Sequence, residues 1–175
     1  MGQYYHPIIL GKRNGVLSWW YSHDFRNGLK LMEHSWLNNN FVNVVENYLT
    51  DNPQRIVWAG DYADNEKGKD YNLYDRCVDS KKILSGDETD LPAGMYVINH
   101  TKREYYSRDR LAASYDGWKV NPLPILTCEG NGRGGGDYNR RNGDDYLIGS
   151  WARDTIEVSS TAPDNYCDID PYFYE

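Results

Sequence analysis

The sequence predicts a single α+β domain, in which a mostly antiparallel sheet of hairpins packs against one main helix at about residues 39–49. Two pairs of strand-like runs, each joined by turn residues, indicate hairpins around Asn14-Gly15 and around residues 100–102. Between the two hairpins, apolar side chains recur on one face of a helix. The length of 175 residues is typical of one domain.

The first hairpin takes residues 3–10 and 16–21 as its strands. Asn14-Gly15 lies between them, and this dipeptide favours the left-handed backbone of a tight hairpin turn. Successive side chains of a strand point to opposite faces, so Trp19 and Trp20 are expected on opposite faces of the sheet. Residues 29–33 then predict a short strand or the start of a helix.

The main helix has its apolar residues at helical spacing, namely Phe41, Val44, Val45, Tyr48 and Leu49. Asparagines at 38–40 are N-cap candidates, and the segment 51–53, which ends in proline, terminates the helix. Residues 55–59 follow as a buried strand. The polar region 60–90 shows only a weak helical pattern, at about 73–84.

The second half of the domain repeats the strand pattern. Residues 95–107 predict the second hairpin, 123–127 an edge strand preceded by prolines, and 146–151 with 155–158 a final strand pair. We expect the domain to span residues 1–162. Residues 163–175 form an acidic, aromatic C-terminal tail, for which solvation is the default and docking onto the domain an alternative.

Charge restricts the partners. The formal net charge is −7 and the isoelectric point about 5.1. A nucleic-acid polymer requires a basic face, so we do not expect one as a partner. A small nucleotide requires only one or two arginines and backbone N–H groups, and a host protein partner also stays open. No apolar run approaches the ~20 residues of a membrane span, and no secretory signal is visible, so we expect a cytoplasmic protein without a membrane partner.

A glycine-rich loop at residues 128–145 is the main candidate for function. Long loops inside compact domains are commonly functional. Its glycines can form an anion-binding nest of backbone N–H groups, and its arginines can contact a phosphate or carboxylate. The loop also carries four acids against three arginines, so a solvated loop with internal ion pairs is an equal alternative. The candidate ligand-binding residues here are Gly132, Arg133, Gly134, Gly135, Tyr138, Arg140 and Arg141.

A repeated tetrapeptide supplies four more candidates. Trp58-Ala59-Gly60-Asp61 and Trp151-Ala152-Arg153-Asp154 both follow apolar runs. With Tyr138, the tryptophans Trp58 and Trp151 are candidates for stacking on a nucleobase, and Asp61 and Asp154 complete the candidate ligand site. The alternative places each tryptophan in the core and each aspartate in a turn.

Catalytic chemistry has little support in the sequence. The four histidines form no metal-binding motif, the acids between 61 and 70 lack calcium-loop spacing, and three distant cysteines favour neither a disulfide framework nor a zinc site. We therefore predict no catalytic residue, metal or cofactor. A small hydrolase that uses His100 or His23 with Asp61 or Asp154 remains the last-ranked hypothesis.

Four stretches, residues 1–5, 58–63, 97–105 and 130–138, resemble a family of small uncharacterised proteins of bacteria and their phages. No function is known for that family, so the resemblance implies no catalytic residues. It implies a phage or mobile-element setting, in which small acidic proteins often bind and inhibit a host component.

Three functions follow in rank order. The first is a non-catalytic binding protein that captures a small anionic ligand, such as a nucleotide signal, through the glycine and arginine loop. The second is an acidic inhibitor of a host protein, of the counter-defence type. The third is the small hydrolase. The sequence leaves assembly into a homo-oligomer open.

Overall fold

A computed structural model describes residues 2–113, 116–130 and 145–173 of the chain. In this part of the chain it has nine strands: β1 Tyr5–Leu10, β2 Val16–Trp20, β3 Gln54–Gly60, β4 Lys81–Ile83, β5 Tyr96–Asn99, β6 Glu104–Ser107, β7 Cys128–Glu129, β8 Thr155–Ser159 and β9 Cys167–Asp168. Its α-helices are α1 Leu31–His34, α2 Asn40–Leu49, α3 Leu73–Arg76 and α4 Pro122–Leu126. Short 3-10 helices occur at Ser22–Phe25, Cys77–Asp79, Arg108–Arg110 and Asp145–Leu147.

The strands form one mixed sheet in the order β4-β2-β1-β3-β8-β5-β6-β9, with β7 also paired to β3. The predicted α+β class is confirmed, but the sheet is less uniformly antiparallel than expected. Parallel pairing occurs between β2 and β4, β3 and β7, and β6 and β9. The second strand of each of these pairs has only two or three residues, which is too short for a period-two pattern to show.

Both predicted hairpins are present. In the first, β1 pairs with β2, so that Ile8 lies opposite Trp19. Asn14 has the left-handed backbone (φ 58°) that its turn requires. In the second hairpin β5 pairs with β6, and Val97 lies opposite Tyr106. Trp19 and Trp20 lie on opposite faces of the sheet, as predicted.

Helix α2 confirms the predicted main helix. The side chain of Asn39 caps it by accepting hydrogen bonds from the backbone N–H groups of Phe41 and Val42. The prediction of one main helix holds only in part, because α3 continues into a 3-10 helix and gives a second helical stretch from Leu73 to Asp79. The Asn72 side chain begins this stretch by accepting from the Asp75 N–H.

Two predicted strands were wrong. Residues 122–126 form helix α4, in which Pro122 occupies the first turn, where its missing N–H costs nothing. A short apolar run is compatible with a buried helix as well as with a strand, and in this protein the run is a buried helix. Residues 145–151 form a 3-10 helix and turns held against α4, with the Trp151 N–H donating to the Leu126 carbonyl. Only β8 remains of the final strand pair.

The tail docks on the domain over its described length. Strand β9 pairs with β6 in parallel, and Phe173 lies in the main core with 5% of its surface exposed. Tyr166 hydrogen-bonds His100. The docking alternative therefore holds for residues 163–173, of which Asp164, Asn165, Cys167, Asp168 and Asp170 remain exposed to solvent.

The sheet has one thickly and one thinly covered face. Alternate residues of β1 and β3, such as Ile9 and Ile56, face the main core, which includes the apolar residues of α2 and α4. Their neighbours Ile8 and Val57 face a small second cluster that Leu73 and Cys77 cover. No helix of the described residues is long and apolar enough to cross a membrane.

Candidate functional site

The predicted glycine and arginine loop cannot be placed. Seven candidate ligand residues lie outside the described residues, namely Gly132, Arg133, Gly134, Gly135, Tyr138, Arg140 and Arg141. The chain is described up to Gly130 and again from residue 145. A candidate site must therefore be built from the residues around these two points.

The tryptophans of the repeated tetrapeptide are core residues. Trp58 and Trp151 are both fully buried. The indole N–H of Trp58 donates to His34 Nε2 at 3.0 Å, and that of Trp151 donates to Glu104 Oε2 at 2.7 Å. A buried ring with an occupied N–H has no face left for a nucleobase, so neither tryptophan is available for the stacking that the sequence suggested.

The aspartates of the repeated tetrapeptide accept hydrogen bonds from distant segments of the chain. Asp61 Oδ1 accepts from the Tyr4 backbone N–H at 2.9 Å, and Asp154 Oδ2 accepts from the Asn99 amide at 2.8 Å. Each carboxylate thus ties the end of a strand to a neighbouring segment. Together with the buried tryptophans, this is the core-and-turn arrangement.

Arg153, the variable position of the second tetrapeptide, was not predicted as a site residue. Its guanidinium binds two carboxylates from different segments. It donates to Glu129 Oε2 at 2.8 Å and to Glu66 Oε2 at 3.1 Å, with a further bond to each acid. Burial opposes the charged form, but the hydrogen bonds that Arg153 donates to Glu66 and Glu129 raise the pKa of Arg153 above its ordinary value. Arg153 therefore stays charged and ties together the chain on both sides of residues 131–144.

A cavity of about 290 Å³ lies beside this ion-pair cluster. Its cationic side chains are Arg13 of the first hairpin turn, Lys67 and Lys69 of the loop after β3, and Arg76 of α3. Among the described residues, Glu66 alone lines the cavity with a carboxylate, and Arg153 already engages it. We name this cavity the basic cleft. The excess of cations contrasts with the net charge of −7 for the whole chain.

Three of the four cations of the basic cleft have no ion-pair partner among the described residues. Arg76 pairs with the exposed Asp79 at 2.6 Å and lies over the Tyr71 ring at 5.7 Å. Arg13, Lys67 and Lys69 make no ion pair with any described residue. Like charges held around one cavity repel each other, and a bound anion relieves that repulsion. The cleft is therefore electrostatically suited to an anion.

Two polar contacts give the basic cleft a defined shape. Arg55 donates to Asn14 Oδ1 and to the Gly11 carbonyl, both at 2.7 Å, which fixes the hairpin turn that carries Arg13. On the other wall, the Asn72 amide donates to the carbonyls of Asp61 and Ala63 at 3.1 Å and anchors the loop after β3. Arg55 of β3 thus holds one wall, and Asn72, the N-cap of α3, holds the other.

A second, smaller cavity of about 160 Å³ adjoins the basic cleft. The two share Asn14, Glu66 and Lys67, and the smaller one extends to Glu129 and Arg153. Glu129 ends the strand β7 that leads towards the glycine-rich segment. The basic cleft therefore lies at the end of the sheet where the described chain stops at Gly130.

The histidines of the hydrolase hypothesis have other partners. His100 Nε2 lies 2.6 Å from Glu157 Oε2, and its Nδ1 lies 2.9 Å from the Tyr166 hydroxyl. His23 hydrogen-bonds the Tyr21 hydroxyl. The expected pairing with Asp61 or Asp154 is not among the hydrogen bonds of the described residues. Nor do three or more His, Cys, Asp or Glu side chains of the described residues gather as a metal site.

No protein-family model, curated protein or solved structure matches this chain.

Proposed function

We propose that this protein is a non-catalytic binding protein that captures a small anionic ligand in the basic cleft. The observation that carries this proposal is the composition of the cleft, where four cations meet one carboxylate that is already paired with Arg153. The sequence pointed to the same class of ligand through the predicted glycine and arginine loop. Arginine and lysine side chains bind phosphates and carboxylates through charge-assisted hydrogen bonds.

Phosphate-bearing small molecules fit this cleft better than larger anions. A cavity of about 290 Å³ lies at the small end of ligand pockets, which commonly range from about 300 to 1,000 Å³. Arg13 and Arg76 offer planar donors, whereas Lys67 and Lys69 act as point charges. Mixed cations of this kind suit the several oxygens of a phosphate or diphosphate group. A nucleotide would place its phosphates here.

Calorimetric titration with inorganic pyrophosphate and with ADP tests the proposal. We expect binding that weakens steeply with salt, because the attraction is between exposed charges. Arg13→Gln and Lys69→Gln should each lower the affinity about ten-fold, since each removes one charge-assisted contact of about 1.5 kcal/mol. Lys12→Gln is the matched control, because Lys12 is an exposed cation of the same hairpin that does not line the cleft.

Equal affinities for the Arg13, Lys69 and Lys12 variants would contradict the proposal, as would the absence of heat with both ligands. The contribution of Arg133, Arg140 and Arg141 stays a prediction from the sequence. Replacing each of these arginines with glutamine in the same titration measures whether the glycine-rich segment adds contacts to the ligand.

A further inference from the structure

A larger cavity lies on the thinly covered face of the sheet, away from the cations of the basic cleft. It measures about 560 Å³ and is lined by the aromatic side chains His6, Trp19 and Tyr74, with Lys82 and Val78 among its other residues. We name it the aromatic pocket. The helical stretch 73–79 separates it from the basic cleft, since Leu73 and Arg76 line one cavity and Tyr74 and Cys77 the other.

The rings of the aromatic pocket form a continuous wall. The His6 and Tyr74 rings stack in parallel, with centroids 4.1 Å apart and an interplanar angle of 6°. Trp19 lies 4.6 Å from His6 on a tilted plane, and Tyr21 lies 6.2 Å from Trp19. These rings come from β1, from the end of β2 and from α3, so the sheet and the helix fix their spacing. Such walls bind flat rings by offset stacking or edge contacts.

His6 is a polar group built into this wall. It is 5% exposed, and its Nδ1 makes no hydrogen bond of normal geometry to a described residue. Burial lowers the pKa of His6 to about 4, although the Tyr5 carbonyl opposes this and the nearby His23, His34 and Lys82 add to it. The imidazole is therefore neutral at pH 7.

The charged groups beside the pocket are Lys82, which is paired with Asp24, and Asp75. The Lys82 ammonium lies 6.0 Å from the Trp19 ring centroid and 5.4 Å from that of Tyr21, and Asp24 holds it at 3.0 Å. The protein thus supplies its own cation to the aromatic wall. The π-face of a ligand ring would also be attracted to Lys82.

We infer that the aromatic pocket is a second binding site, which takes a planar heteroaromatic ring. The ring packs against Trp19 and Tyr74, which are half-buried, whereas His6 lies against both of them and is itself covered; Lys82 lies over the face or edge of the bound ring. This site is independent of the basic cleft, since its attraction comes from stacking and not from a set of unpaired cations.

Ligand-observed saturation-transfer NMR with adenosine, an uncharged heteroaromatic probe, tests the inference. At millimolar concentration we expect saturation on the base protons of adenosine, none on free ribose, and none on choline, which has no ring to stack. Lys82→Gln should weaken adenosine binding about three-fold, the effect of losing one cation–π contact. Tyr74→Leu should weaken it further, because stacking on one aromatic ring is lost. Tyr62→Leu is the matched control, since Tyr62 is exposed and does not line the pocket.

Lys82→Gln keeps the inference testable if Tyr74→Leu fails to fold, because Lys82 is a partly exposed residue of an edge strand. No saturation of adenosine, equal saturation of choline, or unchanged binding in the Lys82 variant would overturn the inference. Arg13→Gln separates the two sites. If Arg13→Gln abolished adenosine binding, adenosine would bind in the basic cleft and the aromatic pocket would be ruled out as its site. If the variant lost only pyrophosphate binding, the inference about the aromatic pocket would stand.

Discussion

His34 shows how one buried side chain connects the helical segments to the sheet. Its Nδ1 lies 3.0 Å from the Gly28 carbonyl, and its Nε2 lies 3.0 Å from the indole nitrogen of Trp58. An indole N–H can only donate, so Nε2 must be unprotonated and Nδ1 must carry the hydrogen that is donated to Gly28. The ring is therefore fixed as one neutral tautomer. Consistent with this, burial lowers its pKa to about 4, against partial opposition from the Gly28 carbonyl.

Replacing His34 with leucine should destabilise the fold by about 2–4 kcal/mol, because the Trp58 N–H and the Gly28 carbonyl each lose a buried partner. Urea unfolding followed by tryptophan fluorescence measures the change. His23→Gln provides the control, since His23 is exposed and its replacement should alter stability by less than about 0.5 kcal/mol. Equal stability of the two variants would show that the His34 contacts contribute nothing net.

At the scale of the element, helix α2 carries a buried charge. Glu46 is fully buried, and both of its oxygens accept from Arg108 at 3.2 Å, while Oε1 also accepts from the Asn121 amide at 3.1 Å. Burial raises the pKa of Glu46, and Arg108 and Asn121 oppose that rise. This network joins α2 to the segment after β6 and to the cap of α4. Each of these buried polar side chains depends on the others for its hydrogen bonds.

Glu46→Leu should destabilise the protein by about 3–5 kcal/mol, because it leaves the Arg108 guanidinium buried and unpaired. The double replacement Glu46→Leu with Arg108→Met should recover much of this loss, since no charge then remains buried. A double-mutant cycle in urea measures the coupling. The exposed pair Arg110–Asp168 is the comparison, and breaking it with Arg110→Gln should cost less than about 1 kcal/mol. A double variant as unstable as Glu46→Leu would contradict this account.

Strand β9 and Phe173 make the C-terminal tail part of the fold. Phe173→Ala should cost about 3 kcal/mol, the usual effect of removing a buried aromatic ring. The thermal midpoint measures it, and Asp164→Asn, at an exposed position of the same tail, should leave the midpoint unchanged. Truncation after Ala162 would therefore affect folding as well as any binding to a host protein. Loss of a host protein from a pull-down with the truncated chain would not by itself show that the tail forms the interface. A truncated chain with an unchanged midpoint would show that the docking is energetically neutral.

Elements with long, regular patterns could be predicted, whereas those made by tertiary contacts could not. The first hairpin and α2 show their turn residue, cap and apolar period in the sequence itself. Helix α4 and strands β7 and β9 are two to five residues long and depend on the neighbours that bury or pair them. The basic cleft was missed for a similar reason. Arg13 lies about fifty residues before Lys67 in the chain, and the stretch around Lys67 carries enough acids to resemble an ordinary solvated loop.

At the scale of the whole molecule, two buried histidines link stability to pH. His6 and His34 both have their pKa lowered from 6.5 to about 4 in the folded state. The unfolded chain takes up these protons near pH 6.5, but the folded protein resists them until about pH 4. The unfolded state therefore binds more protons between these values, and stability falls as pH decreases through that window. Each histidine contributes up to about 3 kcal/mol of this loss, a large part of a typical domain stability.

Replacing His6 with phenylalanine should flatten this pH dependence. Phenylalanine retains a flat ring against Tyr74 but cannot take a proton, so about half of the stability lost by the wild type between pH 6.5 and 4 should be absent. Urea unfolding at a series of pH values measures the slope. Glu46, whose raised pKa acts in the opposite direction, is common to both proteins and cancels in their difference. If the variant showed the same pH dependence of stability as the wild type, the folded state would accept a proton on His6 as readily as the unfolded chain does. The aromatic pocket would then not have a neutral His6 in its wall.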